Sequence, residues 1–148
     1  MRTFLVTGGA GFIGSHIAAA LVRRGDQVRV LDNLSTGNLA NLKEVGGQPE
    51  FFEADLLDTE ILREALQGVD CVFHQAALAS VPRSIKKPLD THAACATGTI
   101  NLLNESRKAE VRRVIYAASS SAYGDQINSA KRETDLPAPC LLYTSAAA

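Results

Sequence analysis

The chain has 148 residues, 46% of them apolar and 21% charged, with a formal charge of −1. That length suits one domain with a buried core, and a near-neutral charge without blocks of like sign gives no footing for nucleic acid or an anionic membrane. The longest early apolar run, Phe4-Leu5-Val6, is too short for a signal peptide or a membrane span.

Cys71, Cys95 and Cys140 are odd in number and far apart, so a disulfide framework is not expected and a reducing, cytoplasmic setting is the simplest reading. His16, His74 and His92 share no spacing with each other or with the cysteines that would hold a metal.

Short apolar runs alternate with amphipathic stretches, as in a parallel sheet with helical crossovers. A first strand is expected at Thr3–Thr7. Ile13, Ile17 and Leu21 then recur on one face of a helix that ends at Gly25. Gln27–Leu31 and Glu50–Ala54 read as the second and third strands. Asp58 caps a helix with Ile61, Ala65 and Leu66 on its apolar side, closed by Gly68. Cys71–His74 is the fourth strand, a long helix runs from about Leu89 to Lys108, and Val114–Ala117 is the fifth strand. Gly98 inside the long helix weakens it, which predicts close backbone packing there. The expected fold is α/β, a doubly wound parallel sheet of the Rossmann type.

Thr7-Gly8-Gly9-Ala10-Gly11-Phe12-Ile13-Gly14 joins the first strand to the first helix. Glycines there let the backbone turn tightly and approach a pyrophosphate, whose charge meets the free N–H groups at the helix start. Asp32 closes the second strand, 18 residues beyond Gly14, where a carboxylate accepts hydrogen bonds from an adenosine ribose. Loop and carboxylate together point to a dinucleotide. No G-x-x-x-x-G-K-[ST] sequence supports a P-loop nucleotidase.

With T-G-G-A-G-F-I-G-S, L-D-N-L-S-T-G, H-Q-A-A-L-A-S-V-P-R-S and Y-A-A-S-S-S-A-Y-G-D in this order, the chain resembles the extended short-chain dehydrogenase/reductases. Within them it is most similar to the bacterial UDP-N-acetylglucosamine and UDP-glucose 4-epimerases. The resemblance covers residues 1–139, an incomplete NAD-binding domain. It implies that Gly8, Gly11, Phe12, Ile13 and Gly14 hold the pyrophosphate of NAD, and Asp32 and Asn33 the adenosine ribose, with Ser35, Thr36 and Gly37 nearby. Asp55 and Leu56 would flank the adenine, although Asp55 could equally open a turn. Gln75, Ala76, Ala77 and Leu78 would face the nicotinamide-side ribose. Ser119 would hydrogen-bond the sugar hydroxyl undergoing oxidation, and Ser80, Ser120 and Ser121 would line the UDP-sugar pocket. His16, His74, Tyr116 and Tyr123 are expected to be structural.

In such epimerases a tyrosinate takes the 4-hydroxyl proton while hydride passes to NAD, and the hydride returns to the other face of the rotated 4-keto sugar. The runner-up activity is a sibling dehydratase or decarboxylase, although Ser120 and Ser121 stand where dehydratases usually carry Asp-Glu. A catalytically dead cofactor-binding fragment is the reading from another class. The family's dimer, built on the long helix and the helix bearing Y-x-x-x-K, implies a homodimeric parent; the fragment is not expected to form it.

Two departures stand out. Cys95 occupies the place of a usual Asn, three residues before Gly98. After Glu133 to Pro137 the family continues S-P-Y-x-x-x-K, whereas here Leu142 precedes Tyr143 and Ala147 replaces the lysine. Cys140-Leu-Leu-Tyr-Thr-Ser145 is also the translation of TGT CTC TTA TAC ACA TCT, a transposon-end sequence used in library preparation. Residues 140–148 are therefore expected to be non-native, Tyr143 inert, and the catalytic Tyr-Lys helix and C-terminal substrate domain absent.

Overall fold

The apolar runs become a five-stranded parallel sheet: β1 (Thr3–Thr7), β2 (Gln27–Asp32), β3 (Glu50–Glu53), β4 (Cys71–His74) and β5 (Arg113–Tyr116), in the order β3-β2-β1-β4-β5. The coordinates are a computed structural model that describes residues 1–43, 45–124 and 130–138. β1 lies at the centre, and its Phe4, Leu5, Val6 and Thr7 are all buried because helices cover both faces. β2, β3 and β5 each begin or end one residue away from the expected limits.

Alternate strand residues point to opposite faces and so build two cores. On one face Phe4, Val6, Val28 and Val30 pack with Ala18, Ala19 and Leu21 of α1 (Phe12–Arg23). The short α2 (Leu39–Lys43), unforeseen in the sequence, lies on this side, where its Leu42 is half-buried. On the other face Leu5, Leu31 and Val72 meet Leu62, Ala65 and Leu66 of the α3 region (Thr59–Ala65). Leu102 of α6 (Gly98–Lys108) completes that core.

The cap on α3 is the expected one: Asp58 Oδ1 accepts the N–H groups of Glu60 and Ile61, both at 3.2 Å. The apolar side is as read, with Ala65 and Leu66 fully buried and Ile61 packed against them, and Leu62 is fully buried in addition. α1 differs. Ile13 is 61% exposed, and the buried side is made by Gly14, Ser15, Ala18, Ala19 and Leu21. α1 starts so close to the loop after β1 that only small residues fit beneath it: a Cβ on Gly14 would lie 2.2 Å from the Gly8 carbonyl oxygen.

The connection after β4 holds α4 (Val81–Lys86), capped by Ser80, whose hydroxyl accepts Arg83 N–H at 3.4 Å. The long helix follows as α5 (Pro88–His92), a π-helical turn (Ala93–Thr97) and α6. In that turn Gly98 N–H reaches back five residues to the Ala93 carbonyl. Leu89, Ile100 and Leu103 along this helix are exposed. Buried Glu105 ties α6 to α3, accepting from Lys108 Nζ at 2.6 Å and Arg63 Nε at 3.1 Å; bonding to Lys108, then to Arg63, holds its carboxyl below the usual range against the opposing effect of burial. After β5 a 3₁₀ turn spans Ser120–Tyr123. Among the described residues no helix is long and apolar enough to cross a membrane.

Gly98 packs as its place in a helix suggested, since a Cβ there would sit 2.9 Å from Leu56 Cβ. Gly98→Ala, which raises intrinsic helix propensity, is expected to destabilise the fold by about 1–3 kcal/mol through overpacking. Urea denaturation checks this; an unchanged or raised midpoint contradicts it.

Candidate functional site

The carboxyl ends of β1 to β4 converge on one edge of the sheet, where β1 lies at the reversal of strand order. The loop after β1 is shaped by backbone contacts. Gly8 has φ +66°, donates to Leu31 O at 2.8 Å and accepts from Gly11 N–H at 3.1 Å. A Cβ on Gly8 would lie 2.7 Å from Ala76 N, and one on Gly9 would lie 2.6 Å from Val30 Cγ1. Gly11 is different: its φ of −77° suits any residue, and its Cβ would meet just the Gly8 oxygen, at 3.2 Å. Gly11 is the N-cap of α1 and supplies no side-chain cap, so the first amides of α1 offer donors to an anion. Phe12 and Ile13 in that first turn are exposed.

Asp32 fixes this loop from below. Its Oδ2 accepts Ala10 N–H at 2.9 Å and its Oδ1 accepts Leu34 N–H at 2.8 Å, while the residue is 7% exposed. Each oxygen keeps a further lone pair for a ligand. Gly37 lies against the same carboxylate, with a Cβ position 2.9 Å from Asp32 Oδ1. Across the rim Asn33 Nδ2 donates to Asp55 Oδ2 at 2.6 Å, and Asp55 Oδ1 accepts Leu57 N–H at 2.9 Å. Asp55 therefore opens a turn and also faces the site. Asn33 Oδ1 accepts Ser35 N–H at 3.0 Å.

A cavity of about 90 Å³ opens between these elements. Gly8, Asp32, Asn33, Ser35, Thr36, Asp55, Leu56, Gln75, Ala76, Ala77 and Leu78 line it, all of them expected from sequence, together with Leu31, Ala54 and Ala94. Among the described residues the lining holds two carboxylates and no Lys or Arg. Leu31 and Ala54 are strand-end neighbours of Asp32 and Asp55, so the strand readings could have found them. Ala94 comes from the π-helical turn, for which the sequence carries no signal beyond Gly98.

A smaller cavity of about 30 Å³ adjoins, lined by His74, Gln75, Ala76, Ala77, Cys95, Thr99, Tyr116 and Ala117. Tyr116, expected to pack, is 49% exposed because β5 is an edge strand, although its ring meets His74 at 5.5 Å. His16 is exposed on α1, with Nδ1 2.7 Å from Phe12 O. Ser80, Ser119 and Ser120 line neither cavity. Ser80 is engaged in capping α4, Ser119 is partly buried after β5, and Ser120 and Ser121 belong to the 3₁₀ turn. Cys140, Leu142, Tyr143 and Ala147 lie outside the described residues.

Residues 4–146 match the NAD dependent epimerase/dehydratase family. The chain belongs to that family. Among curated members it is 42% identical over 128 residues to the UDP-glucose 4-epimerase of Erwinia amylovora, covering 82% of this chain and 38% of that protein. Among solved structures it superposes with TM-score 0.89 and 35% identity on the UDP-N-acetylglucosamine 4-epimerase of Methanobrevibacter ruminantium in complex with UDP-N-acetylmuramic acid, covering 99% of this chain and 47% of that one. The UDP-glucose 4-epimerase of Thermus thermophilus, in complex with NAD, gives TM-score 0.85 and 38% identity, with 98% of this chain and 47% of that one covered. The chain thus spans less than half the length of these relatives.

In this member of the epimerase/dehydratase family, Cys95 makes an anchoring contact: its Sγ accepts Leu78 N–H at 3.4 Å. The glycines of the loop divide into those that the fold needs and one that it does not. Gly14→Ala drives a methyl into the Gly8 carbonyl and is expected to unfold the domain or cost several kcal/mol, whereas Gly11→Val is expected to stay within about 1 kcal/mol of the parent chain. Thermal melts followed by circular dichroism distinguish them; equal melting temperatures for the two variants refute this division.

Proposed function

We propose that this chain is the cofactor-binding part of a UDP-sugar 4-epimerase and that its cofactor is NAD. The observation that carries the reading is Asp32, a buried carboxylate that holds the glycine loop and turns its remaining lone pairs toward a cavity whose described lining has no basic side chain. Such a site accepts hydrogen bonds from free ribose hydroxyls and repels a 2′-phosphate.

In this reading the pyrophosphate lies at the start of α1, over Gly8, Gly11, Phe12, Ile13 and Gly14. Asp32 and Asn33 hold the adenosine ribose, with Ser35, Thr36 and Gly37 beside it, and Asp55 and Leu56 flank the adenine. Gln75 to Leu78 face the nicotinamide-side ribose. Ser119 orients the sugar hydroxyl, and Ser80, Ser120 and Ser121 serve the sugar-nucleotide. NAD supplies a hydride acceptor that can return the hydride; the residues of this chain bind and orient it. The exposed Leu89, Ile100 and Leu103 support a homodimeric parent with that helix at its interface.

Titration of the chain with both cofactors tests the NAD assignment. NAD is expected to bind about a hundredfold more tightly than NADP, as a like-charge contact of a few kcal/mol requires, and Gly11→Val is expected to abolish binding while the domain stays folded. Tighter NADP binding overturns the assignment.

A full-length protein carrying this chain is expected to interconvert UDP-glucose and UDP-galactose or their N-acetyl forms, with Ser119→Ala lowering kcat about 10²–10³-fold through loss of a hydrogen bond to the reacting oxygen. Release of a dehydrated or decarboxylated sugar in place of an epimer assigns it to a sibling activity.

A further inference from the structure

β4 ends on a histidine with both ring nitrogens engaged. His74 is 1% exposed, its Nδ1 is 2.7 Å from Thr7 Oγ1 and its Nε2 is 2.9 Å from Thr99 Oγ1. The partners determine where the protons sit. Thr99 has one hydroxyl hydrogen and gives it to the Cys95 carbonyl at 2.6 Å. Toward His74 it therefore accepts, and Nε2 carries the ring proton. Nδ1 is left as an acceptor for the Thr7 hydroxyl, and Thr7 Oγ1 accepts Ala76 N–H at 3.4 Å.

These bonds form one directed chain from the Ala76 amide to the Cys95 carbonyl. One end is the wall of the larger cavity; the other is the π-helical turn. The Leu78 N–H bond to Cys95 Sγ ties the same connection to the same turn.

We propose that His74 is a positioning residue: as a neutral ring protonated at Nε2, it fastens the Gln75–Leu78 connection to the π-helical turn and thereby sets the wall of the cofactor cavity. The inference rests on the cofactor reading given above. A neutral imidazole is the side chain that presents a donor and an acceptor on opposite sides of one rigid ring. Burial holds the His74 pKa down at about 4, so the neutral form persists through the neutral range. The titratable groups that face it are Tyr116 from β5 and Cys95 from the π-helical turn; Thr7 faces it from β1 and Thr99 from α6. No carboxylate or amine is among its described contacts.

The π-helical turn gives this relay its far end. Within the turn the helix closes five residues back, and Thr99 uses its hydroxyl to satisfy the Cys95 carbonyl four residues before it. The turn thus holds the Thr99 hydroxyl, at the start of α6, as a fixed acceptor for His74.

Thr99→Val in the 148-residue chain tests the proposal, because it removes the hydroxyl with little change of volume. Hydrogen exchange at the Ala76 and Leu78 amides is expected to accelerate about tenfold relative to the central Val30 amide, and the dissociation constant for NAD to rise about tenfold. Thr99→Ser, which keeps the hydroxyl, is expected to restore both. Nitrogen NMR of the parent chain at about pH 7 is expected to show His74 neutral and protonated at Nε2. Acceleration that is uniform across the sheet, no change at the two amides, or a ring protonated at Nδ1 overturns the proposal. Failure of the parent chain to bind NAD defeats the cofactor reading instead, and the exchange and tautomer results still decide the role of His74.

Discussion

Two stretches of backbone can touch only where no side chain stands between them, and the carboxyl edge of this sheet depends on that condition at Gly8. Its left-handed φ turns the chain out of β1, its N–H reaches the end of β2, and its carbonyl receives Gly11 while lying beneath Gly14. Its missing Cβ also admits the backbone of Gln75 and Ala76. One residue thus joins β1, β2, α1 and the connection after β4. The small residues on the inner side of α1 follow from this closeness, as does the outward turn of Phe12 and Ile13.

Much of the scaffold was legible because local chemistry and burial agree. The limits of β1, the Asp58 cap and the close approach at Gly98 all appear where the sequence placed them. On α1 the stripe held for Ile17 and Leu21 but not for Ile13, because the glycine loop beneath the first turn favours the Gly14, Ser15, Ala18 side. α3 has too few turns for its period to mark the whole apolar side, so Leu62 joins Ile61, Ala65 and Leu66 in the core without a sequence signal of its own. α4 did carry a signal, Ser80 followed by Pro82, an N-cap and a first-turn proline. Most of the cavity lining was readable because a parallel sheet collects its functional residues at strand ends. The His74 relay was not, since its partners Thr7 and Thr99 are separated from it by 67 and 25 positions and meet only through the fold.

The site also shows why overall charge said little about function. A formal charge of −1 gave no footing for a polyanion-binding surface, but in the proposed reading a dinucleotide needs no basic side chain when helix amides point at it. Asp32 and Asp55 give the rest of the cavity a negative character that suits hydroxyls. In the proposed reading attraction comes from the free amides at the start of α1, and exclusion from the carboxylates that line the cavity.

The central place of β1 has a consequence for the newborn chain. β1 is made first, yet its two neighbours arrive late: Thr3 pairs with Gln27 on one side, and Phe4 pairs with Cys71 on the other. The apolar strand must wait through most of a Rossmann half before both flanks are covered. Parallel pairing across such separations carries a loop-closure cost before it returns any stability, and it exposes unpaired strand during that interval. Ribosome-bound lengths that stop before residue 71 therefore present Phe4-Leu5-Val6 as an open edge during synthesis.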